Sequence, residues 1–160
     1  MTDEQIEELL NLRADTAFNM CYCDALAKRY QGWHNLGMCF VALFTSTTVL
    51  SWLASIEWST TSKTLSVIAA GLALVLPILK FDDKSKRMRA TYAEWYMIKC
   101  EYDALWAKRK IVNQQEAAER IAEILIREGK ESVRDVGLSF DNEKVQQKCA
   151  DRVNSKFFPA

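Results

Sequence analysis

The side chains that most often run catalysis are scarce: a single histidine, His34, and five cysteines, Cys21, Cys23, Cys39, Cys100 and Cys149. A triad or a histidine-based metal site would have to be built on His34, which has no acidic neighbour in sequence. Cys21 and Cys23 stand two apart, which on a helix turns them toward nearly opposite faces. An odd number of thiols without framework spacing fits neither a zinc knuckle nor a disulfide scaffold, and free thiols suit a reducing compartment. No nucleophile elbow, phosphate-binding loop, dinucleotide fingerprint or zinc-protease motif occurs. The acid pairs Glu7-Glu8 and Asp82-Asp83 read as solvated charge. The expectation is a protein that is not an enzyme, with no catalytic residue, metal ligand or cofactor. Histidine is the side-chain type used for proton-sensitive switching, so His34 reads as a proton-sensitive gate or, more simply, as an interface residue.

One polar stripe does stand out. At about 100° per residue, His34, Gly37, Val41, Thr45, Thr48 and Ser55 project within roughly a third of a helix circumference. They either line a water-filled path between associated chains or pack against a neighbouring helix with their hydroxyls on backbone carbonyls. Phe44 and Trp52 fall in or near the same sector, which favours packing. No ring of charge accompanies the stripe, so a pore built on it would discriminate weakly. A facing helix is available in the second apolar segment, where Ala69, Ala70 and Ala73 permit close approach and Pro77 would bend the far end.

The elements that must position this stripe are two apolar runs. Between Arg29 and Glu57 lies a stretch of about 27 residues without a charge, enough at about 1.5 Å per residue to cross a bilayer core of roughly 30 Å. Between Lys63 and Lys80 lie about 16 more, which reach only about 24 Å and span if both lysines extend toward headgroups or the bilayer thins. Residues 33–56 and 64–81 are therefore read as transmembrane helices joined by an outer loop, 57–63. Residues 1–11 are acidic and no small-residue cleavage pattern follows the first run, so it is expected to stay in the product. Lys28 and Arg29 precede the first span, while Lys80, Lys84, Lys86, Arg87 and Arg89 follow the second. The loop holds only Lys63. This bias puts both termini in the cytoplasm, with Trp33, Trp52 and Trp58 at the interfaces.

The flanking segments read as helices. Thr2 or Asp3 can cap an N-terminal helix over 1–32, with Ile6, Leu9, Leu10, Phe18, Cys21, Ala25 and Leu26 on its apolar positions, running straight into the first span. Residues 82–112 carry a heptad seam: Met88, Trp95 and Tyr102 every seven, with Thr91, Ile98, Leu105 and Val112 between them. That seam pairs either with the N-terminal helix of the same chain or with its copy in a neighbouring subunit. Residues 113–160 read as two amphipathic helices. The first runs from Gln114 to Glu128 after an Asn113 cap and stops at Gly129; the second is capped by Asp141 and carries Val145, Cys149, Val153 and Phe157. The whole is an all-α membrane protein: a two-helix transmembrane hairpin with a cytoplasmic coiled stalk and C-terminal helices. At 160 residues it is one unit, and its equal totals of 21 basic and 21 acidic side chains give no net field to attract nucleic acid.

This layout, with the second span running into Phe81-Asp82-Asp83-Lys84-Ser85-Lys86-Arg87-Met88-Arg89-Ala90-Thr91-Tyr92 and on through Trp95 and Tyr102, resembles the SLATT domains. These are two-transmembrane effectors of bacterial nucleotide-signalling conflict systems. The resemblance covers roughly residues 10–112 and is architectural. It implies a homo-oligomer that breaches the bacterial inner membrane in antiphage defence when a partner, a nucleotidyltransferase or reverse transcriptase, or a nucleotide signals infection. It transfers no functional residue by position. Two other readings stand beside it: a passive membrane anchor for a soluble partner, and a holin-like hairpin.

Overall fold

The computed structural model describes residues 1–45, 59–134 and 142–159, and among these it contains helices and turns but no strand. The helices are α1 (Asp3–Thr45), α2 (Ser59–Leu79), α3 (Phe81–Ala107), α4 (Gln114–Arg134) and α5 (Glu143–Phe157). They divide between two compact units, Met1–Ala27 with Arg87–Ala160, and Lys28–Lys86.

In the first unit α1 opens with a reciprocal cap. The Gln5 amide donates to Thr2 Oγ1 at 3.3 Å and the Thr2 amide to Gln5 Oε1 at 3.1 Å, while Asp3 and Glu4 place negative charge on the positive end of the dipole. The heptad seam of α3 is buried inside this single chain. Met88, Thr91, Trp95, Ile98, Tyr102 and Leu105 are all buried, together with Leu9, Cys23 and Leu26 of α1, Ala117, Ile121 and Ile124 of α4, and Cys149 and Val153 of α5. A stripe repeating every three and four residues covers one side of a helix, and these neighbours remove it from water.

Ion pairs fix how the helices meet. Arg13 bonds the Asp103 carboxylate, Nη2 to Oδ1 at 2.7 Å, and its guanidinium lies over the rings of Trp106 at 4.7 Å and Phe157 at 5.5 Å. One cation thus ties α1, α3 and α5. Arg127 of α4 reaches Glu94 at 3.8 Å and also bonds Glu101.

Several boundaries differ from the sequence reading. Helix α2 begins at Ser59, inside the segment 57–63 read as loop, because no glycine or proline there prevents the chain from winding early. Helix α3 ends at Ala107, and Lys108–Val112 form turns in which the Ile111 amide donates to the Lys108 carbonyl at 2.9 Å. Val112, the last position of the expected seam, lies outside the helix. Asn113 then caps α4, accepting from the Glu116 amide at 2.7 Å. Helix α4 does not stop at Gly129 but continues to Arg134, since a glycine terminates a helix by turning left-handed and Gly129 does not. The cap of α5 is Asn142, which accepts from the Val145 amide at 3.1 Å; Asp141 lies outside the described residues.

In the second unit the later part of α1 packs on α2. Pro77 sits inside α2 two residues before its end, and Lys80 separates α2 from α3 with a φ of 48°, a left-handed backbone that costs a non-glycine residue about 1–2 kcal/mol. Tyr30 stacks on Phe81 with ring centroids 6.4 Å apart, and the Ser85 hydroxyl donates to Gln31 Oε1 at 3.4 Å. Among the described residues no helix is both long and apolar enough to cross a membrane. The expected first span, 33–56, runs past Thr45 out of the described residues.

Candidate functional site

Of the polar stripe, the structure places His34, Gly37 and Val41 on the side of α1 that faces α2. A Cβ on Gly37 would come within 2.6 Å of Leu76 Cδ2, so the missing side chain is what lets the two helices approach. His34 and Val41 line a cleft of about 420 Å³ with Met38, Ala73, Leu76, Pro77, Lys80 and Phe81. Thr45 is the last residue of α1. Thr48 and Ser55 lie outside the described residues, as do Trp52 and Trp58. The three members whose surroundings are described therefore sit in a helix–helix contact, the packing reading of the stripe.

The outer surface of this unit is of a different kind. Val67 is 72% exposed, Leu74 74% and Ile78 74%, and Trp33, Leu36 and Leu43 are each more than half exposed. The heptad seam of α3 in the first unit is buried, whereas these apolar side chains of the second unit are exposed.

The seam residues Met88, Trp95, Ile98, Tyr102 and Leu105 form the other expected site, and within one chain they are core. Tyr102 brings the core's main polar group. Its hydroxyl donates to Glu128 Oε2 at 2.9 Å. Burial, with Glu128 alongside, pushes the phenol well above its ordinary value. Burial also raises Glu128 above the usual carboxylate range, and the nearby Asp15 adds to this while the Tyr102 hydroxyl partly offsets it. Asp103 goes the other way. Burial alone would raise it, but hydrogen bonds from Lys99 and Arg13 outweigh that and hold it below its ordinary value.

Arg13, Asp103 and Trp106 escaped the sequence reading, although a signal existed. Arg13 has no carboxylate three or four residues away on its own helix, where Leu9, Leu10, Thr16 and Ala17 stand, so its partner must come from elsewhere, and Lys99 and Asp103 stand at i, i+4. Cys149 meets Cys21 between α5 and α1, and burial followed by this second thiol pushes Cys149 up to about 12.

The one hydroxyl these groupings set beside a carboxylate, that of Tyr102 on Glu128, is on a side chain buried in the core. His34 lies in the hairpin cleft, the cysteines are free thiols, and among the described residues no three His, Cys, Asp or Glu side chains gather as metal ligands. The described arrangement holds helices together and exposes apolar surface. Compared with protein-family models, curated proteins and solved structures, the chain matches none.

Proposed function

We propose that the chain is an oligomeric effector of the bacterial inner membrane, its Lys28–Lys86 unit inserted in lipid as a hairpin and both ends in the cytoplasm. A partner or nucleotide signal acting on the cytoplasmic helices makes the assembled hairpins leak in antiphage defence. The observation that carries this reading is the outward apolar surface of the hairpin unit, with Trp33, Leu36, Leu43, Val67, Leu74 and Ile78 more than half exposed. Leaving such a side chain in water forgoes about 1.5–3 kcal/mol each, and six of them approach the whole stability of a typical domain, about 5–15 kcal/mol. Acyl chains remove that cost. The basic residues on either side, Lys28 and Arg29 before the apolar runs and Lys80, Lys84 and Lys86 after them, support the orientation. The apolar run of α2 is short for a bilayer, and Lys63 and Lys80 at its ends extend its reach by placing their amines among headgroups.

The resemblance to SLATT domains supports the defence role, with a signalling nucleotidyltransferase or reverse transcriptase as the partner class. A specific observation favours a second reading, the passive anchor: His34, Gly37 and Val41 face α2, which leaves fewer polar groups to line a pore.

Expression in bacteria with a potential-sensitive dye tests both. The effector depolarises cells under activating conditions, and leucine at Thr45 and Thr48 abolishes the effect. A potential that holds while the protein stays in carbonate-washed membranes would establish the anchor. Recovery of the chain from the soluble fraction without detergent would remove both.

A further inference from the structure

Helix α3 carries two apolar seams, and packing among the described residues accounts for one of them. Opposite the buried seam, Ala90, Ala93, Met97, Cys100, Ala104 and Ala107 repeat at the same alternating spacing of three and four. At about 100° per residue this second seam lies roughly half a turn from the first. All six are exposed, Met97 by 41%, and the adjoining Tyr96 is exposed by 52%. A heptad face of this length is the surface that another helix covers in a coiled coil.

The charges along its two edges select the covering helix. In a parallel coiled coil, a residue just before the seam on one helix meets the residue five positions later on the other. Applied to α3 against a second α3, that rule sets Arg89 against Glu94, Tyr96 against Glu101 and Asp103 against Lys108. These are a cation with a carboxylate, a phenol with a carboxylate, and a carboxylate with a cation. An antiparallel arrangement about the middle of the same face sets Glu94 against Glu101, like against like. Arg89 and Lys108 make no ion pair among the described residues. Among the described residues, the ion pair of Glu94 is the long 3.8 Å contact to Arg127. Asp103 already binds Arg13 and Lys99, so the Arg89–Glu94 pair contributes most. Small side chains at four of the six seam positions let two backbones approach closely.

We propose that this face of α3 is the contact between two copies of the chain, packed parallel along Ala90–Ala107. The proposal deepens the function argued above by naming the surface through which the effector assembles, and it rests on that reading for the shared membrane that holds two copies in parallel.

Cys100 supplies a reporter, because a parallel pair brings the two Cys100 thiols to one layer of the seam. In membranes from cells expressing Cys39→Ser protein, which removes the other exposed thiol, a short-armed bis-maleimide should convert most of the chain to a covalent dimer. In Cys39→Ser/Cys100→Ser protein the dimer should fall at least tenfold. Ala104→Glu in the Cys39→Ser background should lower the yield similarly while leaving helical circular dichroism unchanged, since Ala104 is exposed in the single chain. Arg89→Glu should weaken the dimer and Arg89→Glu/Glu94→Arg should restore it. Equal crosslinking with and without Cys100, or an Ala104→Glu protein that dimerises like its parent, overturns the proposal. Sedimentation of the same membranes reads the hairpin separately: a chain that stays in the carbonate-washed pellet yet shows no Cys100 crosslink refutes this face and leaves the membrane reading standing.

Discussion

Replacing Tyr102 with Phe should destabilise the helical unit by about 1.5–2 kcal/mol near pH 8 and by less as the pH falls. The change removes one oxygen from a fully buried ring and leaves its packing in place, so the loss isolates the hydrogen bond to Glu128 Oε2 at 2.9 Å. Hydrogen bonds to charged groups contribute about 1.5–3 kcal/mol, and the half-buried setting of Glu128 points to the lower half of that range. The pH dependence follows from Glu128. Burial raises its folded value above the ordinary 4.5, so the folded chain holds this proton more tightly than the unfolded chain. Stability contributed by such a group is lowest above the folded value and rises as the pH drops toward 4.5. Without the phenol donor the carboxylate is poorer still, which makes the deficit of Tyr102→Phe greatest when Glu128 is ionised and smaller once it is protonated. Denaturant unfolding of the full chain in mild detergent, followed by circular dichroism at a series of pH values, measures this directly. Glu128→Gln should shrink the effect of Tyr102→Phe, giving a coupling of about 0.5–3 kcal/mol in the double-mutant cycle. A deficit that is the same at pH 8 and below the ordinary 4.5, or additivity in the cycle, would show that the pair does not act as described.

Asp103 should behave in the opposite sense, because its folded value is lowered: its stabilising effect is full above the ordinary 3.8 and disappears as the pH falls through the folded value. The stability gap between the native protein and Asp103→Asn, followed by unfolding from about pH 7 downward, should therefore close only in strong acid; a gap that closes near neutrality would contradict this. Thiol chemistry offers a further check. Exposed Cys100 should react with a maleimide before buried Cys23 and Cys149, and mass-resolved labelling in which Cys149 leads would refute the packing of α5 on α1.

What the sequence made legible is uneven for physical reasons. The seam from Met88 to Leu105 could be read because a heptad repeats one side-chain class at one angle, and only its last member, Val112, fell beyond the helix end. The Asn113 cap and the Thr2 cap were readable because short polar side chains satisfy the first amides of a helix wherever they occur. The end of α4 was not. Gly129 is equally compatible with a helical and a left-handed backbone, and tertiary contacts such as the Tyr102–Glu128 bond decide which it adopts. Periodicity also could not say whether the seam closed on its own chain or another, since a buried stripe looks the same in both. Arg13 was overlooked for a related reason: its partners Asp103, Trp106 and Phe157 are remote in sequence, and only the fold brings them round one guanidinium. Among the hairpin candidates, the angular sector of His34, Gly37 and Val41 was readable, but whether that sector met α2 or a lumen was a question of which way the helix is turned.

The span of Arg127 across Glu94 and Glu101 has one more consequence. These two acids are a heptad apart, and the residues at the same spacing before and after them are Arg87 and Lys108. Were α4 to slide by seven residues of α3 in either direction, Arg127 would trade a carboxylate for a cation. Each exposed pair adds little to the depth of the native well, typically about 0.2–1 kcal/mol, but the trade raises the neighbouring wells. The device acts as a ratchet tooth: it leaves the bundle no stronger than its apolar packing makes it, and leaves one alignment in which that packing can be reached.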